Sequence, residues 1–483
     1  MRLQATLLTL AAMAATPAAH AQTALTGVSF VNGLTLAGNS LDLSSGSDLD
    51  RRVGFFSDIY YDRNRNEWWG LSDRGPGGGV LPYDTRVQRF TVDVNANTGA
   101  ISNFRILETV KFSSAAGTLN GQAPTVGNVL GRSFDPEGFV VNPVTGNFLV
   151  SDEYGPSVYE FSRSGQLIRA FKTPANLVPR TTAGVDYNAL PPAGSTPQLT
   201  QGRLGNRGLE GLAITPDGRF AYAMLQNGLV TDGYNASSDT RGLYTRIIKY
   251  DIASGEAVGQ YAYALASASQ GRGSSALVAL DENRFLVLER NNRGIGVGAT
   301  LSGADKNVFE VDLRGATDVT GINLPSSGAL PSGLVAVAKG AQVMDLDANT
   351  LAALGNKSPE KWEGLAVGPR LADGRYLVLA GTDNDYSVTQ NGAGTQFDVY
   401  FRMTDADPYA KSIQCPMGQT TGCFFTANSA SATLTGDYQL LPGVLHAYTA
   451  NIANYAAPVP EPAHWALMTA GLGLLALTRR KAR

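Results

Sequence analysis

Histidine is scarce in this chain, which has 3 in 483 residues. Two of them, His20 and His464, lie in the terminal segments, so His446 is the one candidate within the main body of the sequence. A Ser-His-Asp esterase would depend on that single residue, and there is no Gly-x-Ser-x-Gly elbow followed by a helix. A zinc site built from several imidazoles is excluded. The hydrolytic chemistry that remains uses a metal held by oxygen atoms and a bound water.

Cysteine and basic charge are also limited. The chain has two cysteines, Cys415 and Cys423, at the ends of the loop Cys-Pro-Met-Gly-Gln-Thr-Thr-Gly-Cys. Their spacing does not fit a Cys-x-x-Cys redox or zinc motif, but in an oxidising compartment they could close a small surface disulfide. The net charge of −3 provides no broad basic field, so we expect no nucleic-acid partner.

Candidate export and membrane segments are confined to the two ends. Residues 1–21 combine a basic Arg2, an apolar stretch and the small-x-small site Ala19-His20-Ala21. This is the pattern of a cleavable secretory signal peptide. Its apolar core is too short to span a bilayer, and we expect no membrane-spanning segment before residue 460.

The C-terminal segment, residues 459–483, has Val-Pro-Glu-Pro, an apolar stretch and a basic tail in that order. The order resembles the PEP-CTERM sorting signal, which implies processing by an exosortase-type enzyme in an exopolysaccharide-making bacterium. We expect the basic tail to hold the segment transiently in the inner membrane before the protein reaches the cell surface or the medium. A permanent single-pass anchor is the alternative.

The region between the ends, residues 22–458, is predicted to be one domain built from repeats. The chain has Gly 55 and Pro 23, and few stretches have helical periodicity. Each repeat consists of Glu-Gly, a short apolar strand, a turn with Pro and Gly, and a second β-rich strand. Clear copies start at Glu137, Glu210 and Glu363, and weaker ones at Ser57 and Ser275.

The spacing of these copies, roughly 60 to 90 residues, predicts an all-β fold in the form of a β-propeller with about five or six elaborated blades. A β-sandwich with long insertions is the alternative, but it does not explain the repeated Glu-Gly hairpin. The proline-rich segment from Thr173 to Gln201 is predicted to be a long loop or lid.

The hairpins also carry the candidate chemistry. In an antiparallel pair, the residue that enters the first strand and the residue that leaves the second lie at the same end of the sheet. In a propeller these ends surround one face of the central channel, so carboxylates from several blades are expected to converge. The candidate metal ligands are Asp73, Glu137, Asp152, Glu153, Glu210, Glu289, Glu363 and Asp383.

Converging carboxylates need a neutralising partner, because like charges raise one another's pKa and destabilise the fold. One candidate is Ca²⁺, which binds oxygen ligands. Basic residues near the acids are the other, and they could grip a phosphate group that the metal polarises. These candidate substrate-binding residues are Arg74, Arg132, Arg207, Arg290, Arg293 and Lys361. The alternative is that the charges form salt bridges between blades and cap turns.

Five short blocks occur in order: Leu-Ser-Asp-Arg-Gly-Pro at 71–76, Asp-Pro-Glu-Gly-Phe at 135–139, Ser-Asp-Glu-Tyr-Gly at 151–155, Asn-Arg-Gly-Leu-Glu-Gly at 206–211 and Trp-Glu-Gly-Leu-Ala at 362–366. Together they resemble the phytase-like propeller family, described as having esterase-like activity of phytase, from Gly54 to Asp385. The resemblance implies a propeller and calcium-dependent hydrolysis of phosphate esters. Because the chain lacks a dense lysine cluster, we expect a small phosphomonoester or phosphodiester as substrate rather than phytate.

Two other functions fit the same pattern. A propeller with carboxylates at its channel could be a calcium-dependent lactonase-like esterase. It could also be a non-catalytic matrix protein that binds an exopolysaccharide or another glycan. Aromatic residues could stack on sugars, although paired strand aromatics more often belong to the core. The candidates are Tyr60, Tyr61, Trp68, Trp69 and Tyr154.

Overall fold

The structure is a computed structural model that describes residues 24–190, 198–238, 240–267, 272–389 and 395–455. The predicted signal peptide, residues 1–21, and the predicted sorting segment, residues 459–483, lie outside the described residues. Within the described ranges, no helix has the length and apolar character needed to cross a membrane.

The described chain is all-β, which confirms that part of the predicted fold class. Its helical segments are short: α1 (Asp48–Arg51) and two 3₁₀ turns (Ala352–Leu354 and Asp385–Ser387). The strands in the described ranges are, in chain order, β1 (Leu25–Leu36), β2 (Asp58–Asp62), β3 (Glu67–Ser72), β4 (Arg86–Val94), β5 (Ile101–Lys111), β6 (Ser113–Ser114), β7 (Gly117–Thr118), β8 (Pro136–Val141), β9 (Phe148–Asp152), β10 (Val158–Phe161), β11 (Leu167–Ala170), β12 (Arg180–Thr181), β13 (Gly184–Val185), β14 (Leu209–Ile214), β15 (Phe220–Leu225), β16 (Tyr244–Asp251), β17 (Glu256–Ala264), β18 (Gly273–Ala279), β19 (Arg284–Arg290), β20 (Lys306–Asp312), β21 (Ala338–Asp345), β22 (Trp362–Arg370), β23 (Tyr376–Thr382), β24 (Phe397–Phe401), β25 (Ile413–Pro416), β26 (Phe424–Phe425), β27 (Gln439–Leu440) and β28 (Gly443–Ile452).

Most of these strands form four-stranded antiparallel sheets. Sheets 1 to 4 follow chain order and consist of β2–β5, β8–β11, β14–β17 and β18–β21. Sheet 5 has the order β22-β23-β28-β1, so that the first and last strands of the described chain pair with each other. Another sheet, β27-β24-β25-β26, is inserted between β23 and β28 and contains the disulfide between Cys415 and Cys423.

The first strands of sheets 1 to 5 contact one another in a ring: β2 with β8, β8 with β14, β14 with β18, β18 with β22, and β22 with β2. An apolar cluster fills the space between each neighbouring pair of sheets. Alternation along the strands explains this packing, because successive side chains point to opposite faces. For example, Trp68 packs between sheets 1 and 5, whereas Trp69 packs between sheets 1 and 2.

The first strands line a narrow central cavity of about 50 Å³. Asp58 lies on its wall, and its carboxylate accepts hydrogen bonds from the backbone nitrogens of Ile59 (2.8 Å) and Phe139 (2.7 Å). The second bond joins sheet 1 to sheet 2. The cavity is also lined by Arg63, which stacks on Tyr455 with the guanidinium carbon 4.5 Å from the ring centre. Side chains therefore fill most of the space along the axis of the ring.

Candidate functional site

Three glutamates occupy the same structural position in three sheets. Glu137, Glu210 and Glu363 each lie at a register shift near the start of the first strand of the sheet. A shift of this kind is a β-bulge, which re-aims a side chain out of the regular pleat. In sheet 4, Ser275 lies at the corresponding shift. The bulges therefore point three carboxylates towards the same end of the ring.

The second strands of the hairpins bring further charges to this end. Asp73, Glu153 and Asp383 follow directly after β3, β9 and β23, and Arg290 is the last residue of β19. These four residues occupy equivalent positions when the sheets are aligned by their strand register. All four are buried. The expected convergence of hairpin ends is thus seen at these positions.

Three carboxylates come close enough to share a cation. Asp73, Asp135 and Glu137 are buried, and each offers an oxygen atom within 4.8 Å of the other two. Asp73 belongs to sheet 1, whereas the other two flank the start of sheet 2. We call Asp73, Asp135 and Glu137 the carboxylate triad.

The carboxylates of the triad repel one another and their neighbours. Burial raises the pKa of Glu137 well above its usual value, and the carboxylates of Glu210, Asp135 and Glu363 raise it further. Burial also raises the pKa of Asp73 to about 7, with a second contribution from Asp383. Protonation or a positive charge nearby would relieve the repulsion between these buried carboxylates.

Arg74 neutralises one side of the triad. Its Nη1 atom lies 2.8 Å from Asp135 Oδ2 and 3.5 Å from Glu153 Oε2. Its backbone nitrogen also donates to Asp135 Oδ1, at 3.2 Å. The pKa of Asp135 is nevertheless raised, because burial outweighs the effect of Arg74 and because Glu153 and Asp73 add negative charge. The ion pair with Arg74 therefore does not restore the usual pKa of Asp135.

Lys361 and Arg290 neutralise the carboxylates of sheet 5. Lys361 Nζ lies 2.7 Å from Asp383 Oδ2 and 2.6 Å from Asp385 Oδ1. The guanidinium of Arg290 forms an ion pair with Glu363. Asp385 has a φ of 48°, a backbone conformation that is unfavourable for a residue with a side chain and that is often found at functional sites. The site therefore combines a carboxylate-rich half with a half in which acids and bases are paired.

Sequence comparison identifies the family. The sequence model of the phytase-like family, described as esterase-like activity of phytase, matches residues 51–386. The chain belongs to this phytase-like family. The matched region contains the whole carboxylate triad together with Arg74, Arg290 and Lys361.

The chain is also similar to a protein named "Uncharacterized secreted protein" from Arthroderma benhamiae. The two are 27% identical over an alignment of 418 residues, and the match covers 69% of this chain and 80% of the relative. The comparison supports a shared domain over most of both chains.

Two solved structures are similar to this chain at low TM-scores. Hydrazine synthase from Kuenenia stuttgartiensis matches with a TM-score of 0.28 and 15% identity, over 70% of this chain and 78% of that chain. An auxiliary nutrient binding protein from Bacteroides thetaiotaomicron matches with a TM-score of 0.27 and 10% identity, over 74% of each chain. At these scores neither likeness carries an argument about this phytase-like protein.

Two of the predicted metal ligands make other contacts. The carboxylate of Asp152 accepts hydrogen bonds from the backbone nitrogens of Asp135 (3.0 Å), Tyr154 (3.0 Å) and Gly155 (2.9 Å). Glu289 accepts a hydrogen bond from the hydroxyl of Tyr263, at 2.6 Å, and forms ion pairs with Arg272 and Lys339. Both residues directly precede a site position on their strand, so strand alternation points them to the other face.

Some of the predicted arginines lie at the site, and others lie away from it. Arg74 and Arg290 lie within the site, and Arg207 lies at its edge, where its charge acts on Glu210. Arg132 is exposed, and its Nη1 atom donates a hydrogen bond of 3.5 Å to the carbonyl of Thr118. Arg293 lines a separate cavity of about 330 Å³ beside Glu360.

Sequence reasoning did not name Asp135, Asp385 or Glu360 as site residues. Asp135 directly precedes the Pro-Glu-Gly block of sheet 2, and Asp385 lies two residues after Asp383. The sequence signal for these two site residues was therefore an acidic residue two positions from a predicted site residue. Glu360, whose Oε1 lies 3.5 Å from Arg290 Nη1, directly precedes the predicted site residue Lys361, so the same signal was present there.

His446 and the proposed sugar-stacking aromatics belong to the core. His446 is buried and packs against Phe30 and Trp362, with ring centres 4.9 and 4.7 Å apart. Burial lowers the pKa of His446 to about 3, so the imidazole is neutral near pH 7. Tyr61, Trp68, Trp69 and Tyr154 are buried, and Tyr60 is partly buried. Neither a histidine-based esterase nor stacking of a sugar on these rings is supported.

Proposed function

We propose that this protein is an exported, metal-dependent hydrolase of phosphate esters, with Ca²⁺ as the metal. The observation that carries the proposal is the carboxylate triad, which lies buried beside Arg74 at the common end of several hairpins. Membership of the phytase-like family supports the same reaction class. A small phosphomonoester or phosphodiester is the proposed substrate.

The proposed architecture is a β-propeller with five blades. Sheets 1 to 5 would be the blades, and the ring of contacts between their first strands supports this count. Pairing of β1 with β28 would close the ring, because strands from both ends of the described chain complete one blade. Closure of this kind protects sheet edges and fixes the hairpin ends around one axis.

The triad fits a hard cation. Its donors are all carboxylate oxygens, and their pKa values are raised, so a bound positive charge would relieve their mutual repulsion. Asp73, Asp135 and Glu137 would hold the ion. Bound there, Ca²⁺ would polarise a phosphoryl oxygen and a water molecule. Arg74, Arg207 and Arg290 would orient the phosphate group, and water is the proposed nucleophile.

Several features support the proposed export of the protein. Residues 1–21 have the pattern of a signal peptide, the related protein from Arthroderma benhamiae is named as secreted, and the Cys415–Cys423 disulfide suits an oxidising compartment. The C-terminal segment 459–483 would be processed by an exosortase-type enzyme, with transient retention in the inner membrane. An extracellular exopolysaccharide is then a proposed partner of the mature protein.

The test is hydrolysis of a chromogenic phosphomonoester and a phosphodiester by the purified 22–458 fragment. Each reaction would be run with Ca²⁺, with other divalent metals and with excess chelator. The variants are Glu137→Gln and Asp73→Asn, which remove charge from the triad. Asp373→Asn is the matched control, because Asp373 is exposed in the turn between β22 and β23, at the opposite end of sheet 5.

Calcium-dependent turnover that is lost in both triad variants and kept in Asp373→Asn would support the proposal. Absence of turnover with every metal, in a fragment that unfolds cooperatively, would overturn it. Chelator-sensitive hydrolysis of a lactone instead would favour the lactonase-like alternative. Retention on a glycan resin without any turnover would favour the matrix-binding alternative.

A further inference from the structure

Three successive residues of the turn after β23 have an unfavourable backbone conformation. Asp385, Tyr386 and Ser387 have φ values of 48°, 54° and 56°. Residues with a side chain rarely adopt this left-handed region, and they adopt it mostly as single residues rather than in succession. Such a conformation persists only where the surrounding structure imposes it. We call residues 384–388 the left-handed turn.

The left-handed turn supports a charged group of the site. Asp385 Oδ1 lies 2.6 Å from Lys361 Nζ, and the same nitrogen lies 2.7 Å from Asp383 Oδ2. The backbone nitrogen of Asp385 also donates a hydrogen bond of 2.8 Å to Asp383 Oδ1. The ammonium group of Lys361 is thus held between two carboxylates, and its position depends on the conformation of the turn.

Arg52 joins the left-handed turn to the inserted sheet. Its guanidinium forms a buried ion pair with Asp398 of β24, in which Nη2 lies 3.3 Å from Asp398 Oδ2. Nη1 also donates to the carbonyl oxygen of Tyr386, at 3.4 Å. The carbonyl of Arg52 accepts a hydrogen bond of 2.7 Å from the hydroxyl of Tyr83, whose ring packs against Tyr386. Arg52 is therefore fixed on both sides and contacts the middle of the turn.

The inserted sheet also holds the ends of the left-handed turn. The hydroxyl of Ser387 donates to the carbonyl of Val399 at 2.6 Å and accepts from the backbone nitrogen of Leu441 at 2.8 Å. The side chain of Asn384 donates to the carbonyl of Leu441, at 2.8 Å. Val399 belongs to β24, and Leu441 directly follows β27. The surroundings that impose the left-handed conformation thus come largely from this sheet.

The loop closed by the disulfide supports the same contacts. Cys415 lies opposite Asp398 in the register of β24 and β25. Within the loop, the backbone nitrogen of Gly418 donates to Asp398 Oδ2 at 2.8 Å. Met417 packs against the apolar cluster that contains Tyr386. The loop therefore contacts both the ion pair and the turn.

We propose that Arg52 and Asp398 are positioning residues of the site, which hold the left-handed turn and, through it, Lys361. Lys361 is one of the candidate substrate-binding residues, so this inference rests on the proposed function for the identity of the substrate. The role of the inserted sheet is then to keep an unfavourable backbone conformation in place. If the turn relaxed, Asp385 would move away from Lys361, and the substrate would bind more weakly.

The first test measures how fast the amino group of Lys361 reacts with an acetylating reagent, by mass spectrometry of the purified protein. In Arg52→Gln and Asp398→Asn this reaction should be at least about threefold faster than in the wild type, because the group reacts from states in which the turn has opened. Lys172, whose side chain is 73% exposed, is the internal reference and should react at the same rate in every variant.

Arg402→Gln is the matched control. Arg402 also pairs with acidic residues of the inserted region, Asp405 at 3.1 Å and Asp437 at 3.3 Å, and these pairs lie outside the left-handed turn. A second variant, Ser387→Ala, removes two hydrogen bonds of the turn and keeps the ion pair of Arg52. It should also accelerate the reaction of Lys361, and it decides the question if Arg52→Gln does not fold.

The second test separates positioning from stability and uses a phosphate ester that the wild type hydrolyses. Arg52→Gln should raise KM at least about threefold with a smaller effect on kcat, because Lys361 acts in binding. Arg52→Lys keeps a charged donor and should recover part of the loss. A purely structural role would reduce the amount of folded enzyme and leave KM unchanged.

Unchanged reactivity of Lys361 in a folded Arg52→Gln or Ser387→Ala variant would overturn the proposal. An equal increase in Arg402→Gln would also overturn it, since the effect would then be a general loosening of the inserted sheet. Because the acetylation needs neither metal nor turnover, it separates this inference from the proposed function. Reactivity of Lys361 that depends on Arg52 in a protein without hydrolytic activity would leave the positioning role standing and remove the enzyme assignment.

Discussion

Asp152 and Glu153 are neighbours in the chain, yet their carboxylates serve different parts of the structure. Asp152 accepts three backbone hydrogen bonds and fixes the turn after β9. Glu153 lies 3.5 Å from Arg74 Nη1 and adds negative charge at Glu137 and Glu210. Strand alternation separates the two roles, since adjacent side chains leave a strand on opposite faces.

The two residues should therefore respond differently to loss of charge. Asp152→Asn places an amide group against a backbone N–H, so the free energy of unfolding should fall by about 1–3 kcal/mol while calcium affinity changes little. Glu153→Gln should weaken calcium binding with a smaller effect on stability. Chemical denaturation and calorimetric calcium titration measure the two quantities. Equal effects of both variants on calcium affinity would contradict the assignment.

Calcium affinity should depend on pH. The pKa values of Asp73 and Asp383 are raised to about 7, and that of Glu137 is also raised. Protons therefore compete with the metal, and calcium affinity should rise as the pH increases through about 7. Titrations at three pH values on either side of this point would measure the trend. An affinity that stays constant across the range would show that the triad is not the binding site.

The metal-free protein should lose stability in the same pH range. A carboxyl group whose pKa is higher in the folded state than in the unfolded state binds more protons when folded, so the free energy of unfolding falls as pH rises between the two values. For Asp73 and Asp383 this window runs from about 4 to about 7. Saturating Ca²⁺ should remove most of the decline. Thermal unfolding with and without chelator provides the measurement. In the same experiment, the variant Glu210→Gln is expected to stabilise the metal-free protein.

His446 should affect stability in acid but not activity. Its folded pKa of about 3 lies below the usual value of 6.5, so its contribution to stability is complete above pH 6.5 and decreases as the pH falls towards 3. His446→Leu should reduce this acid sensitivity and leave any hydrolysis intact. Unfolding midpoints across the acid range and turnover at neutral pH test both parts. Loss of turnover in a stably folded variant would restore the histidine-based esterase as a candidate.

The disulfide should stabilise the inserted sheet rather than the ring. Cys415 and Cys423 are 8 residues apart, and a crosslink that closes so short a loop contributes about 2–3 kcal/mol. Replacement of both by alanine should increase hydrogen exchange in β24 to β27, with little change in β8, β9 or calcium affinity. Uniform loss of protection throughout the protein would show that the inserted sheet is needed for the whole fold.

Local sequence patterns were sufficient to predict several features of the site. The Glu-Gly repeats correctly identified β8–β9, β14–β15 and β22–β23 as hairpins, because strand alternation and turn residues act over short distances. They also identified Glu137, Glu210 and Glu363 as residues at one end of these hairpins. The sequence could not show which of Asp152 and Glu153 points into the site, since this depends on the bulge and register of β8 against β9.

The sequence by itself determined the all-β class, the family, the hairpin repeat and the carboxylates that the hairpins display. Only the tertiary structure decided that Asp73 of sheet 1 lies beside Asp135 and Glu137 of sheet 2. It also decided that Glu289 forms ion pairs with Lys339 and Arg272. Arg207, in contrast, has no acidic partner among the described residues. The reason is physical: hairpins form through neighbouring residues, whereas contacts between sheets depend on how the whole ring packs. The pairing of β1 with β28 joins opposite ends of the described chain, and no local pattern encodes it.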